Sequence, residues 1–195
     1  MMFNNINSQV YYFFYANRVE FLNPIFIFIT TFGGLLISII LTAFVSYLLL
    51  HYKHKKYAYF LLSNVIVGNI LLIIIKYLVN TPRPSLVNAL VIETDPSFPS
   101  GHTMMAITLY FSILIILNRN VFKIPKIWNN ILRVLLAFFI ISIPISRLYL
   151  GIHWMTDVIG GLFIALFQTM VFIYVFKIKL PKDDKIRLLI KKYFK

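Results

Sequence analysis

Three polar clusters interrupt an otherwise apolar chain, and their residue types are those of anion chemistry. The first runs from Lys76 to Arg83-Pro84, the second is Pro99-Ser100-Gly101-His102, and the third runs from Ser146-Arg147 through His153 to Asp157. Together they hold three cations, two histidines and a carboxylate. Each lies at the end of a long hydrophobic run, where charge is costly and calls for a functional cause. Arg83, fixed between two prolines, can present its guanidinium fork to a phosphate, and Lys76 adds a point charge. Snorkelling at a helix end explains Lys76 almost as well, but Arg83 less well. Ser100 and Gly101 fall where a helix begins. There, free backbone N–H groups and the positive dipole end favour an anion, although a serine there also serves as a plain N-cap. His102 is placed to act as a general acid on a leaving oxygen. His153 and Asp157 are four apart and share a face if helical, so the carboxylate can fix one imidazole nitrogen and leave the other free. That pair alone also suits a structural contact or half a metal site. Arg147 lies a short loop earlier, and Gly151 permits a tight approach. Three cations and backbone donors around one anion suit phosphoryl transfer, whose equatorial oxygens stay negative throughout.

Elements that carry these clusters follow from composition. The 195 residues are 60% hydrophobic and only 13% charged, which implies an integral membrane protein of one domain, residues 1–195. About 20 apolar residues span a bilayer core of about 30 Å. Five segments qualify: Pro24–Leu50, Tyr57–Val79, His102 or Thr103 to Leu117, Ile131–Ile145 and Asp157–Phe176. The third and fourth are short and are expected to start below the membrane surface, around a sunken site. The aromatic stretch Val10–Glu20 reads as an interfacial helix. The expected fold is all-α: a polytopic transmembrane bundle of about five spanning helices plus that N-terminal helix. Pro144 is expected to bend the fourth span, and the pairs Gly33–Gly34 and Gly160–Gly161 to allow close helix packing. Tyr149 and Trp154 read as a lipid entrance or as ordinary interfacial aromatics.

Charge sets orientation. Fifteen of the 19 basic residues fall in the 51–56 loop, the 118–133 region and the basic tail 177–195. The positive-inside rule makes these cytoplasmic. Only Arg18, Lys76, Arg83 and Arg147 remain for the opposite face, so the clusters face away from the cytoplasm. The net charge of +13 is thus read as lysine facing anionic lipid, with no nucleic-acid partner. The absence of cysteine excludes disulfides and thiolate metal sites. The N-terminus lacks the basic and apolar regions of a signal peptide. Glu93 and Asp95, in the outer loop, read as loop solvation, and no carboxylate cluster joins the two histidines, so no metal or other cofactor is expected.

The clusters resemble the three signature motifs of the type 2 phosphatidic acid phosphatase family, which includes the vanadium haloperoxidases. Lys-x6-Arg-Pro, Pro-Ser-Gly-His and Ser-Arg-x5-His-x3-Asp all occur without departure and in family order. The resemblance implies a helical bundle and metal-independent phosphatase chemistry. It implies that His153 attacks phosphorus to form a phosphohistidine, oriented by Asp157. It further implies that His102 protonates the leaving group and then activates water. Lys76, Arg83, Ser100, Gly101 and Arg147 would bind the phosphate. The expected substrate is a lipid phosphate or diphosphate held by its tail in the cytoplasmic (inner) membrane. Undecaprenyl diphosphate is favoured, because recycling of that carrier needs an outward-facing phosphatase. Phosphatidylglycerol phosphate, phosphatidic acid and lipid A phosphates are the alternatives. A transporter of phosphorylated solutes is the rival class, disfavoured by the lack of an inverted repeat. A vanadate-dependent haloperoxidase is more remote still.

Overall fold

The structure, a computed structural model, describes residues 2–178. The expected basic tail lies outside them except for Lys177 and Ile178. Helices are the only regular elements among the described residues: α1 (Met2–Ala16), α2 (Asn23–Thr31), α3 (Leu35–His51), α4 (Lys55–Val79), α5 (Gly101–Met105), a π segment (Ala106–Phe111), α6 (Ser112–Leu117), α7 (Lys126–Tyr149) and α8 (Met155–Val175). The protein is an all-α polytopic membrane bundle. Its outer surface is apolar side chain: Leu78, Phe167 and Val134 point away from the bundle, as a chain solvated by lipid requires. The buried core, with Leu49, Phe60, Leu61, Leu109, Ile116 and Ile143, lies where α3, α4, the π segment and α7 meet.

Among the described residues, three helices are long and apolar enough to cross a membrane by themselves: α4, α7 and α8. The expected first span, Pro24–Leu50, is not one straight helix. It breaks at Phe32-Gly33-Gly34 into α2 and α3, which are bent by 47°, and counts as a fourth span only if the bent pair is taken as one. Tyr110 Oη donates to the Phe32 carbonyl at 2.6 Å, so one of the carbonyls at the break stays satisfied inside the bundle. Gly33 therefore marks a break as well as a packing contact. A Cβ there would lie 2.7 Å from Ile143 Cγ2 and 3.0 Å from the His102 ring. The α5–π–α6 run covers only Gly101–Leu117, as short as expected.

The fourth span is corrected at both ends. In place of Ile131–Ile145, α7 starts at Lys126 behind Pro125 and continues through Pro144 to Tyr149. A proline removes one N–H, and neighbouring groups in a bundle absorb the loss. This brings Arg147 to the last turn of a spanning helix and not onto a loop. The N-terminal helix also moves: α1 begins at Met2 and ends at Ala16, displaced from Val10–Glu20. Asn7 fixes it to the start of α8. Its Nδ2 donates to Thr156 Oγ1 at 3.0 Å, and its Oδ1 accepts from the Thr156 N–H at 3.1 Å.

A polar knot holds the middle of the bundle. Asn64 of α4 is fully buried, and its Nδ2 lies 3.2 Å from the Thr108 carbonyl, 2.9 Å from Ser112 Oγ and 3.0 Å from Thr169 Oγ1. Gln168 Nε2 donates to the Asn64 carbonyl and Oδ1 at 2.6 and 2.9 Å. The π segment lies within this knot. Widening the helix there leaves carbonyls for side-chain donors from the neighbouring helices.

Candidate active site

All three clusters converge at one end of the bundle, where α4 and α7 end and α5 and α8 begin. Asn80 closes α4 in the left-handed region at φ 47°, a conformation that asparagine tolerates. The loop then runs over the bundle end to the N-cap of α5. Lys76, in the last turn of α4, reaches the Pro96 carbonyl and pairs with Asp95 at 2.6 Å. Arg83 is held on several sides. Its Nε donates to the Asp95 carbonyl at 2.8 Å, its Nη1 to the Ile152 carbonyl at 2.8 Å, and its Nη2 to Asp95 Oδ1 at 2.8 Å.

His153 does not share a helix with Asp157, as the four-residue spacing suggested. It lies in the α7–α8 loop, and Asp157 is in the first turn of α8. The contact still forms, with Nδ1 3.3 Å from Asp157 Oδ2. The same oxygen accepts from the Trp154 N–H at 2.8 Å and from Ser97 Oγ. These bonds hold the carboxylate against the helix start as half of a capping box. Arg83 Nη1 lies 3.2 Å from His153 Nε2. A guanidinium has only donors, so Nε2 is the acceptor and the proton is assigned to Nδ1, facing Asp157. The imidazole is almost wholly buried. Its pKa lies well below the ordinary 6.5, first through desolvation and then through the charges of Arg147 and Arg83. It is therefore a neutral imidazole at physiological pH, with its lone pair facing the cations.

The loop bearing His153 is shaped by Gly151, at φ +74°, a left-handed conformation that glycine adopts freely. Arg18 packs against it and donates from Nε to the Tyr149 carbonyl at 3.0 Å and from Nη1 to the Asn88 carbonyl. Tyr149 and Trp154 are structural here. The Tyr149 hydroxyl donates to Asn23 Oδ1 at 2.8 Å, and Trp154 Nε1 donates to the Pro82 carbonyl at 2.9 Å.

A cavity of about 270 Å³ opens at this point, with Lys76, Gly101, His102 and His153 in its polar wall and Leu35, Leu72 and Ile73 among its apolar lining. It thus offers an ionic end and a hydrocarbon side to the same ligand. Ser100 is brought close but not into the cavity wall. It is fully buried, and its Oγ accepts from the Thr103 N–H and hydroxyl at 3.4 and 3.0 Å, which is N-capping. Arg147 Nη1 donates to Thr30 Oγ1 at 2.8 Å.

Two acids that read as loop solvation turn inward. Glu93 pairs with Arg147 Nη2 through Oε1 and with Arg83 Nη2 at 2.8 Å through Oε2. Burial would raise its pKa, but the adjacent Arg147, by charge and hydrogen bond, and then Arg83 hold it below the usual carboxylate value. Asp95 spans Lys76 and Arg83. Against the effect of burial, those cations hold its pKa down at about 2. Sequence reasoning also missed Ser97 and Thr30, isolated hydroxyls with no spacing signal. Among the described residues, no group of three or more His, Asp or Glu is arranged to hold a metal ion.

A family model of the PAP2 superfamily matches residues 53–180, which include every cluster residue. The chain belongs to the PAP2 superfamily. Among PAP2 relatives, it is 28% identical over 160 residues to undecaprenyl-diphosphatase of Sulfolobus acidocaldarius, covering 80% of this chain and 71% of that protein. It is 33% identical over 93 residues to phosphatidylglycerophosphatase B of Bacillus subtilis, covering 48% of this chain and 45% of that protein. The fold is similar to the crystal structure of a transmembrane PAP2-type phosphatidylglycerolphosphate phosphatase from Bacillus subtilis. That match has a TM-score of 0.77 at 24% identity and covers 90% of this chain and 87% of that one. Aquifex aeolicus LpxE matches with a TM-score of 0.65 at 22% identity, over 86% of this chain and 94% of that one.

Proposed function

We propose that this protein is a metal-independent membrane lipid phosphatase that removes a terminal phosphate through a phosphohistidine on His153. The reading rests on one observation above the others. His153 is neutral, with Nδ1 against Asp157 and Nε2 facing Arg83. In this mechanism Nε2 attacks phosphorus, the bond to the leaving oxygen breaks, and His102 supplies the proton to that oxygen. His102 then takes a proton from water, which attacks the phosphohistidine and releases inorganic phosphate. Asp157 stabilises the imidazolium formed in the first step. Lys76, Arg83 and Arg147 hold the equatorial oxygens, with Gly101 and Ser100 at the start of α5 supporting the phosphate.

The substrate class in this reading is a phosphate or diphosphate on a hydrocarbon tail, because the cavity joins an ionic wall to leucine and isoleucine side chains. Undecaprenyl diphosphate is favoured, a preference that the similarity to the Sulfolobus protein of that name supports. Phosphatidylglycerol phosphate is next, on the likeness to the Bacillus protein. The whole chain is taken as one phosphatase domain. Its basic loops and tail are assigned to the cytoplasm, and its site to the outer face of the cytoplasmic membrane.

The test is phosphate release by the purified full chain from undecaprenyl diphosphate, phosphatidylglycerol phosphate, phosphatidic acid and lipid A phosphate, side by side in EDTA. At least one lipid should be hydrolysed with the chelator present. His153→Ala should lower the rate at least about a thousandfold, as loss of a nucleophile does. Acid-labile labelled phosphate should be trapped on the wild-type protein and not on this variant. Full activity in His153→Ala would sink the mechanism.

A further inference from the structure

Glu93 occupies the volume that the proposed chemistry assigns to phosphate. Its two oxygens take one Nη2 from each arginine, and Oε2 lies 3.9 Å from His153 Nε2. A phosphorus attacked by that nitrogen must come within about 3–3.5 Å of it, with its oxygens on the same donors. Neither arginine is free to turn elsewhere. Arg147 is buried, with Nη1 bound to Thr30, and Arg83 is tied through Nη1 to the Ile152 carbonyl. Arg147 Nε is also buried without a hydrogen-bond partner among the described residues. A carboxylate has two oxygens to offer this donor set, and a phosphate has more.

Charge leads to the same conclusion. Lys76, Arg83 and Arg147 are paired with Glu93 and Asp95, and the Asp157 carboxylate lies against His153, so three carboxylates already share the site with the three cations. A phosphate dianion entering beside all three carboxylates meets like charge in a confined, largely desolvated space. Departure of one carboxylate removes half of that excess. Glu93 has a place to go. It lines both the 270 Å³ cavity and a second one of about 630 Å³, which Tyr77, Asn80, Arg83 and Pro84 also line.

We propose that Glu93 is an internal competitor of the substrate phosphate, leaving the two arginines when phosphate enters and returning to them as inorganic phosphate departs. The inference rests on the phosphatase reading above. Its consequence is weakened product inhibition: the carboxylate takes back the guanidiniums and helps a tightly held anion to leave.

The test uses the purified full chain, Glu93→Gln and Glu93→Ala, with inorganic phosphate and orthovanadate as inhibitors of lipid phosphate hydrolysis. Direct binding of orthovanadate is measured alongside. Both variants should bind these anions about tenfold or more tightly than wild type, the scale of a lost charged hydrogen-bonded competitor. KM for the lipid should fall with them. Damage to the fold weakens binding, so tighter binding has no merely structural explanation. If both variants bind phosphate and orthovanadate no more tightly than an active wild type, the Glu93 proposal is overturned and the phosphatase reading stands. If wild type hydrolyses no lipid phosphate and binds no orthovanadate, the phosphatase reading itself falls, and this proposal with it.

Discussion

In the proposed mechanism Asp157 can orient His153 only as well as it is itself held. Its Oδ2 receives the Ser97 hydroxyl and the Trp154 N–H, while Oδ1 is buried without a partner among the described residues. Ser97→Ala removes one of those bonds and leaves the backbone contact. The carboxylate then has freedom to rotate away from Nδ1. The expected result is a fall in kcat of about tenfold to a hundredfold, the range for losing a hydrogen bond to a charged group. KM should change little, because the Ser97 hydroxyl lies against Asp157 and His153 and bonds to none of the residues proposed to bind phosphate. A KM rise with unchanged kcat would instead place Ser97 in substrate binding. The eight candidate site residues carried by the three motifs were legible as a group because the order and spacing of those motifs are distinctive. Ser97 was not, since one serine in a Pro-Ser-Phe-Pro-Ser run carries no period. Glu93 and Asp95 were misread for a related reason: loop acids are usually solvated, and a sequence does not say which loop folds back over which helix end.

At the scale of elements, the π segment and the Asn64 knot keep α5 and α6 in register with α4 and α8. His102 stands at the head of that run, so the knot fixes the distance between the two histidines indirectly. Asn64→Leu takes away the donor and leaves the Thr108 carbonyl, Ser112 Oγ and Thr169 Oγ1 to find others. Inter-helix hydrogen bonds in membranes are individually modest, but this residue serves several partners at zero exposure. A loss of about 1–3 kcal/mol is expected, seen as a melting temperature in detergent lower by roughly 2–10 °C. An unchanged melting temperature would mean that the knot adds nothing beyond packing. Spans α4 and α8 were readable to within two residues from hydropathy alone. The break at Gly33-Gly34 and the extension of α7 to Tyr149 were not. Hydropathy averages over a window: it is blind to a bend inside an apolar run, and it ends a span at the first charge even when the helix carries that charge into a site.

For the whole molecule, the arrangement divides charge between two ends. The turn after α3, the start of α4 and the loop after α6 hold Lys53, Lys55, Lys56, Arg119 and Lys123, while the site cations gather at the opposite end, beside the carboxylates of Glu93, Asp95 and Asp157. The unmatched positive charge therefore lies at the end away from the site, and the positive-inside rule supports the proposed assignment of that end to the cytoplasm. The chain contains no cysteine, so a single introduced thiol reports its own side of the membrane. Val87, 91% exposed in the loop over the site, and Lys123, in the loop at the other end, are suitable positions. A membrane-impermeant maleimide should label Val87→Cys in intact spheroplasts and Lys123→Cys only after permeabilisation. The reverse pattern would put the site in the cytoplasm and remove the case for an outward-facing substrate such as undecaprenyl diphosphate. Labelling of both from one side would contradict the separation of the two ends, and with it the odd number of crossings between the α3–α4 turn and the site.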